Sequence, residues 1–259
     1  MLTVLKTGGN VLAQASRLDD ALEAFGKLHG PKVLVHGGGR AATSMAERLG
    51  IEAKMIDGRR ITDEAMLEVV TMVYGGLMNK RLVAKLQAMG LNALGLTGAD
   101  LNLMQAHKRV VGEIDYGWVG DIDRVNITTL LPLLDAGIIP VVAPLTHDNM
   151  GNLLNTNADT IASELGIALA RDREVRILYT FELPGVMTDP MDPSTVVPEM
   201  SPDTYRKLKN DGIILGGMIP KLDNAFAALT SGVKEVLICQ APMAAQIGSD
   251  HFVGTVLRL

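Results

Sequence analysis

The chain has 259 residues, of which 47% are apolar, so it is long enough for one large core or two joined lobes and too apolar to be disordered. Its formal net charge is −5 and no stretch is dense in Lys or Arg, which argues against nucleic acid as a partner. The sequence opens without a secretory leader, and no apolar run approaches the roughly 20 residues of a membrane helix, so we expect a soluble, cytoplasmic protein.

Apolar runs of strand length alternate with helical patterns along the chain, which predicts an α/β fold around a largely parallel sheet. An alternating, glycine-containing stretch with two aromatic residues predicts a β-hairpin at 110–123. Charge density peaks at 171–174, where we expect the join if there are two lobes. The predicted strands are 3–6, 32–36, 92–96, 137–145, 175–181, 235–239 and 255–259, and the predicted helices are 18–28, 40–49, a long one after 63, 157–170 and 218–229.

The long helix after residue 63 has an unusually wide apolar surface. Thr62 and Asp63 offer side-chain oxygens that can cap its first turn. Two adjacent apolar stripes follow, one containing Met66 and the other Tyr74, so the helix is covered on more than one side. We expect its own sheet on one side and a second subunit on the other. Burial wholly inside the monomer is the alternative.

Two predicted strands end in glycine loops, at 6–10 (Lys-Thr-Gly-Gly-Asn) and 36–40 (His-Gly-Gly-Gly-Arg). A glycine run at the carboxyl end of a strand lets backbone N–H groups approach an anion without a Cβ in the way. Tight strand-to-helix turns also need glycine, but two such loops, one preceded by Lys6, favour an anion site. Neither loop has the spacing of a Walker A sequence or of a dinucleotide fingerprint.

Two further segments enter predicted helices, at 155–159 (Asn-Thr-Asn-Ala-Asp) and 216–221 (Gly-Gly-Met-Ile-Pro-Lys). Asn and Asp at a helix start are expected as caps, so each alone is more often structural than catalytic. Lys221 lies in a first helical turn, where the helix dipole disfavours a cation, which suggests that it faces a stronger anion. A solvated surface lysine is the alternative.

Five segments in this order, 6–10, 33–39, 57–63, 155–159 and 216–221, resemble the motif series of the branch of the amino-acid kinase family that phosphorylates N-acetyl-L-glutamate. The resemblance runs from residue 3 to the last predicted strand. It implies the fold of that family, a three-layer αβα sandwich with a central, mainly parallel sheet. It also implies transfer of a phosphoryl group from ATP, with Mg²⁺ on the nucleotide, to a γ-carboxylate in arginine biosynthesis.

The resemblance also implies a role for individual residues. Lys6 and Lys221 would flank the transferring phosphoryl group, and Asp159 would orient them. Arg60 would pair with a substrate carboxylate, residues 1–171 would bind the acyl-glutamate and form a dimer, and residues 172–259 would bind ATP. The implied substrate-binding residues are Gly37, Gly38, Arg60 and Asn155; the implied ATP-binding residues are Lys6, Gly8, Gly9, Glu182, Gly217 and Lys221; no protein metal site is implied.

Several alternatives stay open from the sequence. The acyl group is acetyl or succinyl, and Lys108, Arg109 or Arg124 would supply a cation for the extra carboxylate of a succinyl group. Carbamate, aspartate and uridylate kinases share the fold, and a non-catalytic ligand-binding protein could keep the scaffold. The chain departs from the family's Ser/Thr-Asp-Val-x-Gly pattern at 180–185, where Glu182 would take the place of the aspartate at the nucleoside. Because the chain starts directly in its first strand, we expect a homodimer that is insensitive to arginine.

Overall fold

The structure, a computed structural model, describes residues 1–12, 14–56 and 58–259, so Asp57 of the 57–63 motif lies outside the described residues. The strands are β1 Leu2–Thr7, β2 Lys32–His36, β3 Met55–Ile56, β4 Arg59–Arg60, β5 Ala93–Leu96, β6 Met104–Lys108, β7 Gly120–Val125, β8 Ile139–Val142, β9 Leu145–His147, β10 Leu153–Asn155, β11 Val175–Phe181, β12 Glu199–Met200, β13 Glu235–Gln240 and β14 Gly254–Leu257. The α-helices are α1 Gly9–Leu12, α2 Ala15–Lys27, α3 Gly39–Arg48, α4 Glu64–Val70, α5 Asn79–Ala88, α6 Leu130–Asp135, α7 Ala158–Ala170, α8 Pro202–Asn210 and α9 Met218–Thr230. None of these helices is long and apolar enough to cross a membrane.

The described chain forms two compact units. The first consists of Met1–Lys32 and Ala162–Leu259, and the second of Val33–Ile161. The sequence put the join at 171–174, whereas the structure groups the N-terminal segment with the C-terminal part, because β1 pairs in parallel with β11 along its whole length. The assignment of acyl-glutamate and ATP to separate lobes stays a prediction.

The first unit contains the neighbouring strands β12-β14-β13-β11-β1, in that order. Strands β1, β11 and β13 are parallel, and β14 runs antiparallel to β13. Residues on these strands, such as Val4, Ile177 and Val236, are fully buried. The ammonium of buried Lys32 closes the end of α2 by donating hydrogen bonds to the carbonyls of Phe25, Gly26 and Leu28 at 2.8–3.0 Å.

The second unit contains the parallel strands β2-β8-β5 and a mixed sheet in the order β10-β9-β6-β7. Together with the parallel strands of the first unit, this confirms the predicted α/β class with a mainly parallel sheet. The long helix after residue 63 is also confirmed, and the Asp63 carboxylate caps it by accepting a hydrogen bond from the Met66 amide at 2.8 Å. It continues from α4 through a π-helical segment, Thr71–Met78, into α5.

Two predictions about elements were wrong in detail, and one helix was missed. The run 137–145 is two strands, because Pro144 cannot donate to a ladder and disfavours a regular continuation; β9 joins the mixed sheet instead. The predicted hairpin exists, but its strands are β6 and β7, so Tyr116 and Trp118 lie in the connection between them. Helix α8 was missed, although Ser201 caps it and Pro202 occupies its first turn, which are standard start signals.

Candidate active site

In the first unit, strand register places Lys6 beside two aromatic residues. Lys6 is paired with Tyr179 across β1 and β11, and Phe181 follows Tyr179 by two residues on the same strand. Because side chains alternate along a strand, the three share one face of the sheet. They lie at the carboxyl end of the parallel strands, where Gly8 and Gly9 lead into α1. This is the edge at which ligands of open α/β sheets collect.

Lys221 reaches the same aromatic ring from a different element. It lies in the first turn of α9, which follows Gly216, in a left-handed conformation with φ 55°, and the N-cap Gly217. The Lys221 ammonium is 4.6 Å from the centroid of the Phe181 ring, and the Lys6 ammonium is 5.7 Å from it. The structure therefore brings together two lysines that the sequence singled out, around a phenylalanine to which the sequence assigned no role.

Glu182 directly follows Phe181 at this edge and is half-exposed. Its carboxylate lies 3.7 Å from the Arg17 guanidinium, and its backbone carbonyl accepts a hydrogen bond from the Gln240 side chain at 2.7 Å. Arg17 and Gln240 were not found from the sequence, since neither belongs to a motif. The role of Glu182 in binding ATP stays a prediction.

In the second unit, β2 ends at His36 and Gly38 caps the start of α3. The free N–H groups of a helix start, together with the helix dipole, favour a bound anion. His36 is fully buried; its Nδ1 donates to the Gly37 carbonyl at 2.8 Å, and its Nε2 accepts from the Asn79 amide at 3.3 Å. Burial lowers the pKa of His36 to about 4, so the ring is neutral at physiological pH. Its role is to shape the glycine loop.

The glycine loop is packed directly against Tyr74 of the π-helical segment. A Cβ atom on Gly38 would lie 2.7 Å and 2.8 Å from two carbons of the Tyr74 ring, so only glycine fits there without displacement of the ring. Tyr74 is buried, which raises the pKa of its phenol, while a hydrogen bond and the charge of Arg60 oppose that increase. Tyr74 thus contacts both the loop and Arg60, two elements that the sequence treated separately.

Arg60 is held in a fixed geometry by neutral groups. Its side chain donates to the Gly39 carbonyl at 2.9 Å and to the Thr43 hydroxyl at 2.7 Å, and it lies 3.9 Å from the Met66 sulfur. Only 8% of the residue is exposed. A buried guanidinium that contacts neutral acceptors keeps its positive charge available for a ligand. The structure therefore places Arg60 at the predicted substrate loop.

Asn155 is connected to Arg60 through Thr62. The Asn155 side-chain amide donates to the Thr62 hydroxyl at 2.9 Å, and that hydroxyl contacts the Arg60 carbonyl at 3.3 Å. Gly117, at φ 70°, lies in the connection between β6 and β7 and allows it to approach Thr62. A Cβ atom on Gly117 would lie 2.2 Å from the Thr62 carbonyl oxygen. The sequence gave Thr62 only a capping role, but it joins two predicted substrate-binding residues.

Asp159 is buried in the first turn of α7, which Asn157 caps by accepting hydrogen bonds from the amides of Asp159 and Thr160. Asp159 belongs to the second unit and the two lysines to the first. Its predicted role in orienting them stays a prediction. Among the described residues, no cluster of three or more His, Cys, Asp or Glu side chains could hold a metal ion.

Two of the three cations considered for a succinyl carboxylate have partners within the second unit. The Lys108 ammonium lies 4.5 Å from the centroid of the Trp118 ring. Arg109 pairs with Asp121, with its Nε 3.0 Å from the carboxylate, and this pairing is the largest cause of the lowered pKa of Asp121. The sequence identified these side chains as cations but not their partners.

Comparison with known proteins gives consistent matches along the chain. The model of the Amino acid kinase family matches residues 1–240. The acetylglutamate kinase of Parabacteroides distasonis is 55% identical over 93% of this chain and 94% of that protein. The acetylglutamate kinase of Cytophaga hutchinsonii is 52% identical over 99% of this chain and 98% of that protein. Among solved structures, the carbamate kinase of Giardia lamblia is similar in fold, with a TM-score of 0.68 at 16% identity over 99% of this chain and 98% of that chain.

Proposed function

Because the chain belongs to the amino acid kinase family, we propose that it transfers the γ-phosphoryl group of MgATP to the γ-carboxylate of N-acetyl-L-glutamate, in arginine biosynthesis. One observation carries the choice of acceptor: a relative named acetylglutamate kinase is 55% identical over 93% of this chain. The carbamate kinase likeness, at 16% identity, supports the fold alone. We propose acetyl over succinyl for the same reason.

The proposed reaction needs no general base. A glutamate γ-carboxylate, with an ordinary pKa of about 4.3, is already ionised near neutral pH. One of its oxygens attacks the γ-phosphorus, the bond from that phosphorus to the β-phosphate oxygen breaks, and ADP leaves with the electron pair. The obstacle is the repulsion between two anions, which positioned cations and amides reduce. Lys6 and Lys221 are proposed to supply that charge at the phosphates.

Arg60 and Asn155 are proposed to hold the acceptor. A guanidinium matches a carboxylate with two parallel hydrogen bonds, a geometry that a lysine does not offer. The contacts of Arg60 with Gly39 and Thr43 fix the plane of the guanidinium before substrate arrives. Thr62 connects the Asn155 side chain to the backbone carbonyl of Arg60. The substrate α-carboxylate is the group that this arrangement fits best.

The test is formation of an acyl phosphate, trapped as a hydroxamate by hydroxylamine. Purified protein receives MgATP and, in separate reactions, N-acetyl-L-glutamate, N-succinyl-L-glutamate, carbamate, aspartate or UMP, with ADP release followed in parallel. We expect hydroxamate with N-acetyl-L-glutamate and a loss of kcat of roughly 10²- to 10³-fold in Lys6→Ala. Lys207→Ala, which removes an exposed lysine on α8, is the matched control and should be fully active. ADP release with another acceptor only would reassign the substrate.

We also propose that the protein is a homodimer in which a second copy covers the long helix. Met66, Val70 and Val73 of this helix are buried within the unit, whereas Met72 is 53% exposed. Light scattering should give about twice the 27.6 kDa of the chain, and Met72→Lys should reduce the mass toward that of the monomer. Lys207→Glu, which reverses a charge on α8 instead, should leave the dimer unchanged. A monomeric wild type would contradict the proposal.

A further inference from the structure

Phe181 contacts side chains from its own strand and from two other elements. It is the last residue of β11, in the segment 180–185 where the sequence departs from the family pattern. Its ring stacks on Tyr179, with 6.4 Å between centroids and an interplanar angle of 15°. Lys6 approaches the ring from β1 and Lys221 from α9, both within the first unit.

Two cations at one aromatic ring need a physical reason, because like charges repel. The face of an aromatic ring carries partial negative charge and attracts an ammonium group within about 6 Å of its centroid, by roughly 0.5–2 kcal/mol. Both distances here fall inside that limit. The ring of Tyr179, stacked on that of Phe181, restricts its orientation. The ring is therefore a common attachment point for two side chains that each have several rotatable bonds.

We propose that Phe181 is a positioning residue for Lys6 and Lys221, holding both ammonium groups at the place where the phosphates of ATP bind. This inference rests on the proposed function, which gives the two lysines their role at the phosphates.

An aromatic ring attracts an ammonium group without adding a full negative charge near the phosphates. A ring restricts the side chains while leaving the positive charge in place, and it gives up an ammonium at low cost when a phosphate oxygen arrives. Less conformational freedom is then lost by each lysine at the moment of binding.

The first test needs no activity. In protein labelled with ¹³C-lysine and free of nucleotide, the side-chain CεH₂ protons of Lys221 and Lys6 should be shifted upfield by the ring current of Phe181. Lys6→Arg and Lys221→Arg assign the two signals, and exposed Lys207 provides the reference. The upfield shifts should disappear in Phe181→Leu and persist in Phe181→Tyr. Unshifted signals in the folded wild type would overturn the proposal, whatever the enzyme does.

The second test measures the consequence for ATP. Phe181 is replaced by phenylalanines that carry one, two and three fluorine atoms, which weaken the negative face of the ring stepwise with little change in size. We expect the Kd and the kcat/KM for MgATP to worsen in proportion to fluorination, by roughly 3- to 30-fold over the series, with the KM for N-acetyl-L-glutamate unchanged. The same series at Phe252, whose ring lies against Gly254, is the matched control and should be flat.

The outcomes separate this inference from the proposed function. A flat series at Phe181, in an enzyme that depends on Lys6, would make Phe181 a packing residue and leave the kinase assignment intact. A wild type that forms no hydroxamate and releases no ADP with any of the acceptors would refute the kinase assignment. In that case the inference would stand only if the NMR shifts and the fluorination dependence of MgATP affinity were both observed.

Discussion

The contact between Gly38 and Tyr74 makes a sharp prediction about the substrate loop. In Gly38→Ala, the new methyl group would lie 2.7 Å and 2.8 Å from two ring carbons of Tyr74, whereas carbon atoms pack best at about 3.5–4.0 Å. The ring is buried and cannot swing into solvent. Inserting a methyl into so tight a contact typically costs about 1–3 kcal/mol. For a chain of this size, the Tm should fall by roughly 3–10 °C.

A double-mutant cycle identifies the cause of that loss. Tyr74→Leu removes the ring, so the alanine methyl at position 38 no longer meets it. We expect the double variant to be less destabilised than the sum of the single variants, by about 1–2 kcal/mol in the free energy of unfolding from urea titrations. Gly112→Ala adds the same methyl at a position with no heavy atom within 4 Å and should leave stability unchanged. Additive single effects would refute the steric reasoning.

Three further predictions concern buried cations and a buried histidine. In Arg60→Lys, the KM for N-acetyl-L-glutamate should rise about 10- to 100-fold, with the KM for MgATP unchanged, because the two-pronged carboxylate contact is lost. In Lys32→Met, the free energy of unfolding should fall by about 2–3 kcal/mol in urea titrations, because three carbonyls at the end of α2 lose their donor. His36 has a pKa of about 4 in the folded protein against 6.5 when exposed, so the unfolded chain binds a proton first as the pH falls. Stability from this group is full above about pH 6.5 and is lost toward pH 4, with about 2 kcal/mol lost by pH 5.

Each of these predictions has a contradicting outcome. An Arg60→Lys variant with an unchanged KM would remove Arg60 from substrate binding. Lys27→Met, at an exposed lysine in the last turn of the same helix, should change stability by less than about 0.5 kcal/mol, and an equal loss in both lysine variants would refute the capping role of Lys32. His36→Gln should lose less stability than wild type between pH 7 and 5. Parallel pH profiles would mean that His36 does not titrate as inferred.

Local patterns predicted most of the elements, because their causes are local. Strands β2 and β11 match the predicted 32–36 and 175–181 at both ends. Both are rich in β-branched, aliphatic or aromatic residues, which favour strands. The cap at Asp63 was found because a capping carboxylate acts within its own helix turn. Pro144 separates two strands that belong to different sheets. The sequence predicted one strand there, because the hydropathy pattern alone does not show a change of sheet.

The candidate site was only partly predictable, because its contacts join residues far apart in sequence. The glycine loops, Lys6, Lys221 and Arg60 belong to short motifs and were found. Tyr74 and Thr43 were not assigned roles, since their contacts with Gly38 and Arg60 arise only when the long helix and α3 pack together. An apolar stripe on a helix gives no sign that one of its members supports a ligand loop.

Arg60, which is proposed to bind the substrate carboxylate, contacts neutral groups within the second unit. A carbonyl and a hydroxyl fix its side chain. Arg176 provides the contrast, because it pairs with Glu235 between neighbouring strands, where the charge serves structure. A cation that contacts a neutral group keeps the potential that a polyphosphate or a carboxylate requires, at the cost of a less stable apo protein. It follows that ligand anions should stabilise this protein strongly. MgATP and N-acetyl-L-glutamate should each raise the Tm, and the gain from N-acetyl-L-glutamate should disappear in Arg60→Lys.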